Sequence, residues 1–360
     1  MALFGLFKKN ELSAENSKKG FHQLTVESIE KLTADTVKII FTVPDSLKKE
    51  FHFIPGQYLN LAIELDGQDE RRSYSICSGP DEKLAIAVKA VKNGKISSWL
   101  TSKLVIGQSI FVAKPQGNFL LSETNKNIVA IAAGSGITPI LSIAKSLEKR
   151  NGRMELFYGN RTLDSIIFKQ ELDTLKNTLK HYFLSGETIE GYDFGRLDKE
   201  NFTNQIKANL DILKADGYFI CGPEQMILDV SSTLEFFGVA KSKIHFELFT
   251  TPVLMKQEEK VVVSEFNGES KVTAILDAEK VEFTLSPTGK TLLDAAEKAG
   301  LDAPFSCRGG VCCSCKAKII KGSATMKMNY SLTDKEIQEG YILTCQAHPS
   351  SEELTISYDA

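Results

Sequence analysis

The chain has 360 residues, too many for one ordinary hydrophobic core, so two or three domains are expected. A formal net charge of −3 in an ordinary globular composition offers no basic surface for nucleic acid. Seven cysteines, an odd number with four of them between 307 and 315, speak for reduced thiols around a metal in a cytoplasmic protein.

The apolar run at Met1 to Lys9 is too short for a signal peptide, and residues 1–20 read as a flexible tail. The longest apolar stretch, Ile128 to Ala144, is broken by Gly134, Ser135, Gly136 and Pro139 and does not read as a membrane span. From Phe21 to about Leu121 the pattern is short, β-branched and alternating. Val37–Val43, Tyr58–Leu65, Ser73–Cys77, Leu84–Val91 and Ser109–Val112 read as strands, which together suggest a small antiparallel β-barrel over 21–123. One strand carries Arg71-Arg72-Ser73-Tyr74-Ser75-Ile76-Cys77, with a cation, an aromatic face and a hydroxyl. Further on, Gly94-Lys95-Ile96-Ser97 leads into a predicted helix, and a helix N-terminus with glycine and serine is a natural phosphate seat. Taken alone, the same residues also suit a core tyrosine beside a surface arginine.

Arg72, Tyr74 and Ser75 match R-x-Y-S, and Gly94 and Ser97 match G-x-x-S. In these motifs the chain resembles the ferredoxin–NADP reductase superfamily. Pro55-Gly56-Gln57 and Pro115-Gln116-Gly117-Asn118-Phe119 are similar to landmarks of that family's barrel. The resemblance implies bound FAD, with Arg72 on the pyrophosphate, Tyr74 packed on the isoalloxazine and Ser75 near flavin N5. It also assigns Val88, Lys89, Gly94, Lys95, Ile96 and Ser97 to the flavin nucleotide.

Between Asn127 and Phe249 the period changes, and 124–250 reads as a second domain. Ile128 to Ala133 is a continuous apolar run, suited to a strand buried on both faces. Gly134-Ser135-Gly136-Ile137-Thr138-Pro139 and an amphipathic segment to about Lys149 follow, the layout of a nucleotide-binding crossover. Pro139 replaces the last glycine of the dinucleotide fingerprint. Further apolar runs at Met154–Tyr158, Tyr218–Ile220 and Ile244–Phe249, with helical segments between, predict a doubly wound parallel α/β sheet.

Ligands of such sheets bind at the strand C-termini, where Gly159-Asn160-Arg161-Thr162, Cys221-Gly222-Pro223 and Glu247-Leu248-Phe249 fall. The family resemblance implies that Cys221 lies beside the nicotinamide and that Phe249 stacks on the flavin. Glu247 would neutralise charge or relay a proton, and Ser75, Cys221 and Glu247 form the expected catalytic set. Gly134, Ser135, Gly136, Thr138, Pro139, Asn160, Arg161, Gly222, Pro223 and Met226 are the expected nucleotide contacts. A buried apolar cysteine is the plain structural role for Cys221. Arg161 favours the 2′-phosphate of NADPH, with NADH as the alternative.

Residues 251–269 read as a linker that is not Gly/Ser-rich and is partly docked, with Val261-Val262-Val263 as a short added strand. Val272–Ile275 and Val281–Leu285 read as a hairpin. Thr291-Leu292-Leu293-Asp294 begins a helix that Gly300 ends. Then comes Cys307-Arg308-Gly309-Gly310-Val311-Cys312-Cys313-Ser314-Cys315, followed at a distance by Cys345. The spacing C-x4-C-x2-C…C is the plant-type ligand pattern for a [2Fe–2S] cluster, with Cys307, Cys312, Cys315 and Cys345 as ligands. Gly309 and Gly310 let N–H groups turn inward, and Cys313 fits no slot. A zinc knuckle or a disulfide pair is the alternative, but zinc favours two C-x2-C pairs or Cys/His mixtures and the loop holds one pair. Ala317–Ile320 and Leu354–Tyr358 read as closing strands, and 270–360 resembles a plant-type ferredoxin, an α+β β-grasp domain.

The order of modules, FAD domain, NAD(P) domain and ferredoxin, resembles the reductase components of multicomponent oxygenases from about Phe21 to Ala360. Ala132 to Pro139, Tyr158 to Thr162, Asn329-Tyr330-Ser331-Leu332 and Gly340 to Ala347 carry that likeness. It implies electron flow from NAD(P)H through FAD to the cluster and on to a partner oxygenase, expected to be a diiron enzyme. A Rieske-type or steroid-ring hydroxylase or a hybrid-cluster protein is the alternative acceptor. Two further readings are a ferredoxin-like carrier whose flavin half has lost turnover, and a free-standing flavin reductase with a structural cluster.

Overall fold

The computed structural model describes residues 18–255 and 266–360. Residues 1–17 of the tail expected over 1–20, and the added strand at Val261–Val263, lie outside the described residues. Among those described, no helix is long and apolar enough to cross a membrane.

The first sheet is built from β1 (Phe21–Thr33), β2 (Thr36–Thr42), β3 (Tyr58–Leu65), β4 (Gln68–Ser75), β5 (Ala85–Lys89) and, after helix α1 (Lys95–Ser102), β6 (Ser109–Ala113). Its order is β4-β3-β6-β1-β2-β5, antiparallel throughout. An Ile76–Ile86 bridge joins the end of β4 to β5 and closes the barrel. β3 is buried on both faces, for two reasons. Leu59, Leu61 and Ile63 point into the barrel core, while Tyr58 and Asn60 point the other way, against the C-terminal domain. The sequence places the start of β4 at Ser73, but it begins at Gln68. Asp66 and Gly67 both adopt positive φ and make a two-residue hairpin turn, which carries the polar stretch Gln68–Arg72 into pairing with β3.

The second sheet alternates with helices: β7 (Asn127–Ala133), α2 (Ile137–Lys149), β8 (Arg153–Asn160), α3 (Lys169–Thr174), β9 (Thr178–Leu184), β10 (Asp193–Phe194), α4 (Lys199–Ala208), β11 (Gly217–Cys221), α5 (Glu224–Phe236) and β12 (Ile244–Glu247). All pairings are parallel in the order β10-β9-β8-β7-β11-β12. β7 is buried on both faces as its apolar run predicts. Ile128, Ala130 and Ala132 join one core with Ile140 and Leu141, and Val129 and Ile131 join the other with Phe157 and Phe202. Strand order reverses between β7 and β11, so the crevice at their C-terminal ends is the switch point where ligands bind. The last strand stops at Glu247, shorter than the Ile244–Phe249 run suggests, and leaves Phe249 outside it.

The third unit comprises β13 (Ser270–Leu276), β14 (Glu279–Leu285), α6 (Leu292–Lys298), β15 (Lys316–Lys321), β16 (Ala324–Met326), α7 (Asp334–Gln338), β17 (Tyr341–Leu343), β18 (Ala347–Pro349) and β19 (Glu353–Ser357). Its main sheet has the order β14-β13-β19-β15-β17, with β13 and β19 parallel, and α6 lays Leu292 and Leu293 into the core under it. Thr291 caps α6 by accepting the Asp294 N–H, as its Thr-x-x-Asp pattern predicts. The described start of the linker is docked. Glu224, at the start of α5, accepts the N–H groups of Val253, Leu254 and Met255, and Tyr330 donates to the Met255 carbonyl at 2.6 Å.

Candidate functional site

The three units meet at one cleft of about 1070 Å³. Its floor is the β4 segment Arg72–Ser75, its rim is Gly94 to Ser97 at the start of α1, and Glu247 to Thr251 enter from the second unit. Phe305 to Arg308, Val311 and Cys312 enter from the third. Glu70 holds two cations side by side at the rim, Arg72 and Lys95, each at 3.4 Å. Next to the free N–H groups at the start of α1, this pair is an anion seat suited to a diphosphate. The Ser97 hydroxyl is already committed, since it accepts the Val91 N–H at 3.1 Å and closes the turn. Ala87 and Lys89 border the cleft, whereas the side chain of Val88 lies in the barrel core, because neighbouring strand residues point to opposite faces.

At the inner end Ser75 donates to Glu247 Oε2 at 2.9 Å. Burial lifts the Glu247 carboxyl to about 7, and the hydrogen bond from Ser75 opposes that rise. Cys221 pairs in register with Glu247 across β11 and β12. Its thiol is fully buried, and burial, aided by the charge of Glu247, holds it well above the ordinary thiol range. A Cβ on Gly136 would stand 2.0 Å from the Cys221 carbonyl oxygen, so only glycine lets the start of α2 press against that strand end.

Ser135, Thr138 and Phe249 line the cleft, and Phe249 is 45% exposed. Gly134, Gly136, Pro139, Asn160, Arg161, Cys221, Gly222, Pro223 and Met226 do not line it. Asn160 and Arg161 sit at the C-terminal end of β8, one strand over from β7. The amide nitrogen of Asn160 is buried without a hydrogen-bond partner, and Arg161 is exposed. Glu187, to which no sequence motif points, accepts the Leu163 N–H at 2.5 Å and fixes the turn that carries Arg161.

The four predicted ligands pair off: Cys307 with Cys312, sulfurs 3.0 Å apart, and Cys315 with Cys345. Two pairs suit two irons with two thiolates each. Among the described residues no group of three or more His, Cys, Asp or Glu is gathered as around a single ion. The loop's donors turn toward sulfur, with Gly309 N–H 3.3 Å from Cys307 Sγ and the Ser314 hydroxyl 3.2 Å from Cys312 Sγ. N–H and O–H donors aimed at sulfur favour thiolates, so the donor set fits a thiolate-bound cluster. Gly309 also answers a close approach, since a Cβ there would meet Thr251 Oγ1 at 1.8 Å. Cys313 lies apart: its sulfur faces the Ser331 carbonyl at 3.4 Å, and burial raises its thiol to about 11.

The barrel grips the third unit through residues that read from sequence only as strand or motif positions. Arg71 is 3% exposed, bonds Asp302 at 2.6 Å and Asp69 at 2.8 Å, and lies between the rings of Phe21 and Phe305. Arg308 covers the other face of Phe305, 4.0 Å from its centre, and pairs with Asp294 and Glu297. A column of alternating rings and guanidinium groups thus runs from β1 to the cluster loop. Arg71 and Asn60 reach Asp302 and Ser314 more than two hundred positions away, so no motif in their own segment points to those partners.

Three family profiles match the chain: an oxidoreductase FAD-binding domain over residues 23–120, an oxidoreductase NAD-binding domain over 130–232, and a 2Fe-2S iron-sulfur cluster binding domain over 274–350. The chain is 37% identical over 353 residues to one of the subunits of 1,2-phenylacetyl-CoA epoxidase of Escherichia coli, covering 94% of this chain and 98% of that one. It is 33% identical to the ferredoxin reductase component of 3-ketosteroid-9-alpha-monooxygenase of Rhodococcus rhodochrous, covering 93% and 96%. Among solved structures, phthalate dioxygenase reductase shares the fold with a TM-score of 0.57 and 24% identity, covering 94% of this chain and 98% of that one.

Proposed function

We propose, for a chain that belongs to the oxygenase-reductase family with FAD-binding, NAD-binding and 2Fe-2S domains, that its electrons go to the oxygenase of a phenylacetyl-CoA epoxidase. The chain is an NAD(P)H-dependent flavin iron–sulfur oxidoreductase, a type its family supplies to oxygenases. The finer reading takes the acceptor to be a diiron enzyme, as the family resemblance implies, and NADPH to be preferred over NADH, because Arg161 stands exposed at the end of β8. Domain limits at 21–123, 124–250 and 270–360, with a linker at 251–269, belong to the same proposal.

The observation that carries the electron-transfer reading is that Ser75, Glu247, Cys307 and Cys312 border one cleft. When bound, FAD takes two electrons as a hydride and passes them on singly, and a [2Fe–2S] cluster takes one at a time. Arg72 and Lys95, steadied by Glu70, hold the diphosphate, and Tyr74 offers its face to the ring. Ser75 orients a hydrogen bond at the reacting end, and Glu247 holds or releases a proton there. Cys221 is a neutral, fully buried thiol, and its part in setting the nicotinamide distance runs through the paired ends of β11 and β12 rather than through direct lining of the cleft. Phe249 covers the ring seat and yields to it. Asn160 and Arg161 take the adenosine end, the amide as an unused donor and the guanidinium as partner of a 2′-phosphate.

The test is reconstitution. With purified phenylacetyl-CoA epoxidase oxygenase subunits, NADPH oxidation should be tied to epoxidation of the thioester. A protein that reduces cytochrome c but never supports that turnover would lose this partner and keep its reductase role. Turnover with a 3-ketosteroid hydroxylase instead would favour the second reading, which rests on the 33% identity.

A further inference from the structure

The cluster loop is held at both ends from outside its own domain. Asn60 on β3 is 3% exposed and lies at the centre of a buried hydrogen-bonded set. Its Nδ2 donates to Ser314 Oγ at 2.7 Å, with a longer contact to Gln116 Oε1 at 3.3 Å. Its Oδ1 accepts from Ser73 Oγ at 2.6 Å, and Ser73 Oγ lies 2.8 Å from Ser306 Oγ. Ser306 precedes Cys307, and Ser314 stands between Cys312 and Cys315. Tyr58, also on β3, accepts the Cys313 N–H at 3.1 Å. Ser314, itself 3% exposed, passes its proton toward Cys312 Sγ at 3.2 Å. A hydroxyl oxygen that already accepts from an amide keeps its own proton for another acceptor, and here that acceptor is a cluster ligand.

We propose that Asn60 is a positioning residue for electron transfer: through Ser314, the docked barrel holds a hydrogen bond on the Cys312 sulfur and so sets the potential of the cluster. The inference rests on the four-cysteine assignment above. One electron, supplied by NAD(P)H through FAD, enters the cluster, and no bond is made or broken. Hydrogen bonds to ligand sulfurs stabilise the more negative, reduced cluster and raise its potential. Because the donor is steadied from the FAD barrel, the cluster is easiest to reduce while it faces that barrel. Any separation of the two domains lowers the potential and favours release of the electron.

The experiment is a potentiometric titration of the full-length, cofactor-loaded protein, followed by the EPR signal of the reduced cluster. Ser314→Ala and Asn60→Ala should both titrate at more negative potential than wild type, on the order of 59 mV, which is tenfold in a one-electron equilibrium constant. Ser314→Thr keeps the hydroxyl and should titrate near wild type. Asn118→Ala removes a contact at the exposed edge of the same interface, beside Cys313, that reaches neither Ser314 nor the Cys312 sulfur, and should not shift. Wild-type potentials in both alanine variants overturn the proposal. A shift in Ser314→Ala alone overturns the part assigned to Asn60. Should alanine at 314 prevent cluster loading, Asn60→Ala decides alone. A wild-type protein without a reduced-cluster signal would instead refute the cluster assignment.

Discussion

Ser75 and Glu247 stand 172 positions apart in the chain and in different domains, yet the serine hydroxyl donates to the carboxylate at 2.9 Å. Glu247 is buried, and its carboxyl titrates at about 7 because burial disfavours its charge. Its protonated fraction therefore falls as pH rises through about 7. If it supplies a proton at the hydride step, NADPH-driven flavin bleaching should slow above that pH, and Glu247→Gln should flatten the profile. Ser75→Ala removes the hydrogen bond that favours the carboxylate, so the limb should move to higher pH while kcat falls. A profile unchanged in both variants would deny Glu247 the proton. Stability carries the same sign. The folded carboxyl binds its proton more tightly than the unfolded one, so stability is lost as pH rises from the ordinary carboxylate range through about 7. Glu247→Gln should narrow the loss of Tm between about pH 5 and about pH 8.

Cys313 sits inside the cysteine loop, and in the proposed assignment it is not a ligand. Its N–H is given to Tyr58, its sulfur faces Ser331 and Asn118, and its thiol is raised to about 11, chiefly by burial. Cys313→Ser should keep the visible spectrum and the reduced-state EPR signal, whereas Cys312→Ser should lose both. Bleaching of the Cys313→Ser protein would show that the ligand register is shifted.

At the far end of the nucleotide crevice, Arg161 is exposed and Asn160 is buried with an unused donor. The two residues should therefore separate by cofactor. Arg161→Ala should raise KM for NADPH by about tenfold or more, since a lost charge-assisted hydrogen bond costs about 1.5–3 kcal/mol, and leave NADH nearly unchanged. Asn160→Ala should weaken both dinucleotides alike, because a contact to the shared ribose or base does not sense the phosphate. Equal losses with both cofactors in Arg161→Ala would end the NADPH preference.

Much of this site is legible in the sequence where one segment carries its own signal. The apolar run of β7 announces burial on two faces, and Cys307, Cys312 and Cys315 announce their loop by spacing. The β4 strand is read short because Gln68 to Arg72 are polar; the Asp66-Gly67 turn, a local signal, would have extended it. Val88 is read as a cofactor contact although strand alternation turns its side chain to the core. Tyr58, Asn60, Ser73 and Arg71 are different. Their roles depend on partners such as Ser314, 254 positions from Asn60, and nothing in their own neighbourhood points there. A polar residue at the middle of an apolar strand is the one hint, and Asn60 between Leu59 and Leu61 supplies it.

The pair of Arg71 and Asp302 offers a way to loosen the third domain without touching the flavin seat. Asp302 belongs to the ferredoxin side, is 42% exposed in its side chain, and meets Arg71 at 2.6 Å. Water screens a carboxylate so exposed, so Asp302→Asn should cost about 1 kcal/mol of docking rather than the larger penalty of a buried pair. Arg71 keeps Asp69 and its two rings, and the protein should stay folded. In stopped flow, flavin bleaching by NADPH should keep its wild-type rate. Cluster reduction should slow roughly fivefold, the factor that about 1 kcal/mol sets in an equilibrium. Added salt should slow cluster reduction in wild type and do less to Asp302→Asn, since the screened interaction is already gone. If cluster reduction in Asp302→Asn matches wild type at low salt, Arg71 packs between its rings without governing how the domains dock.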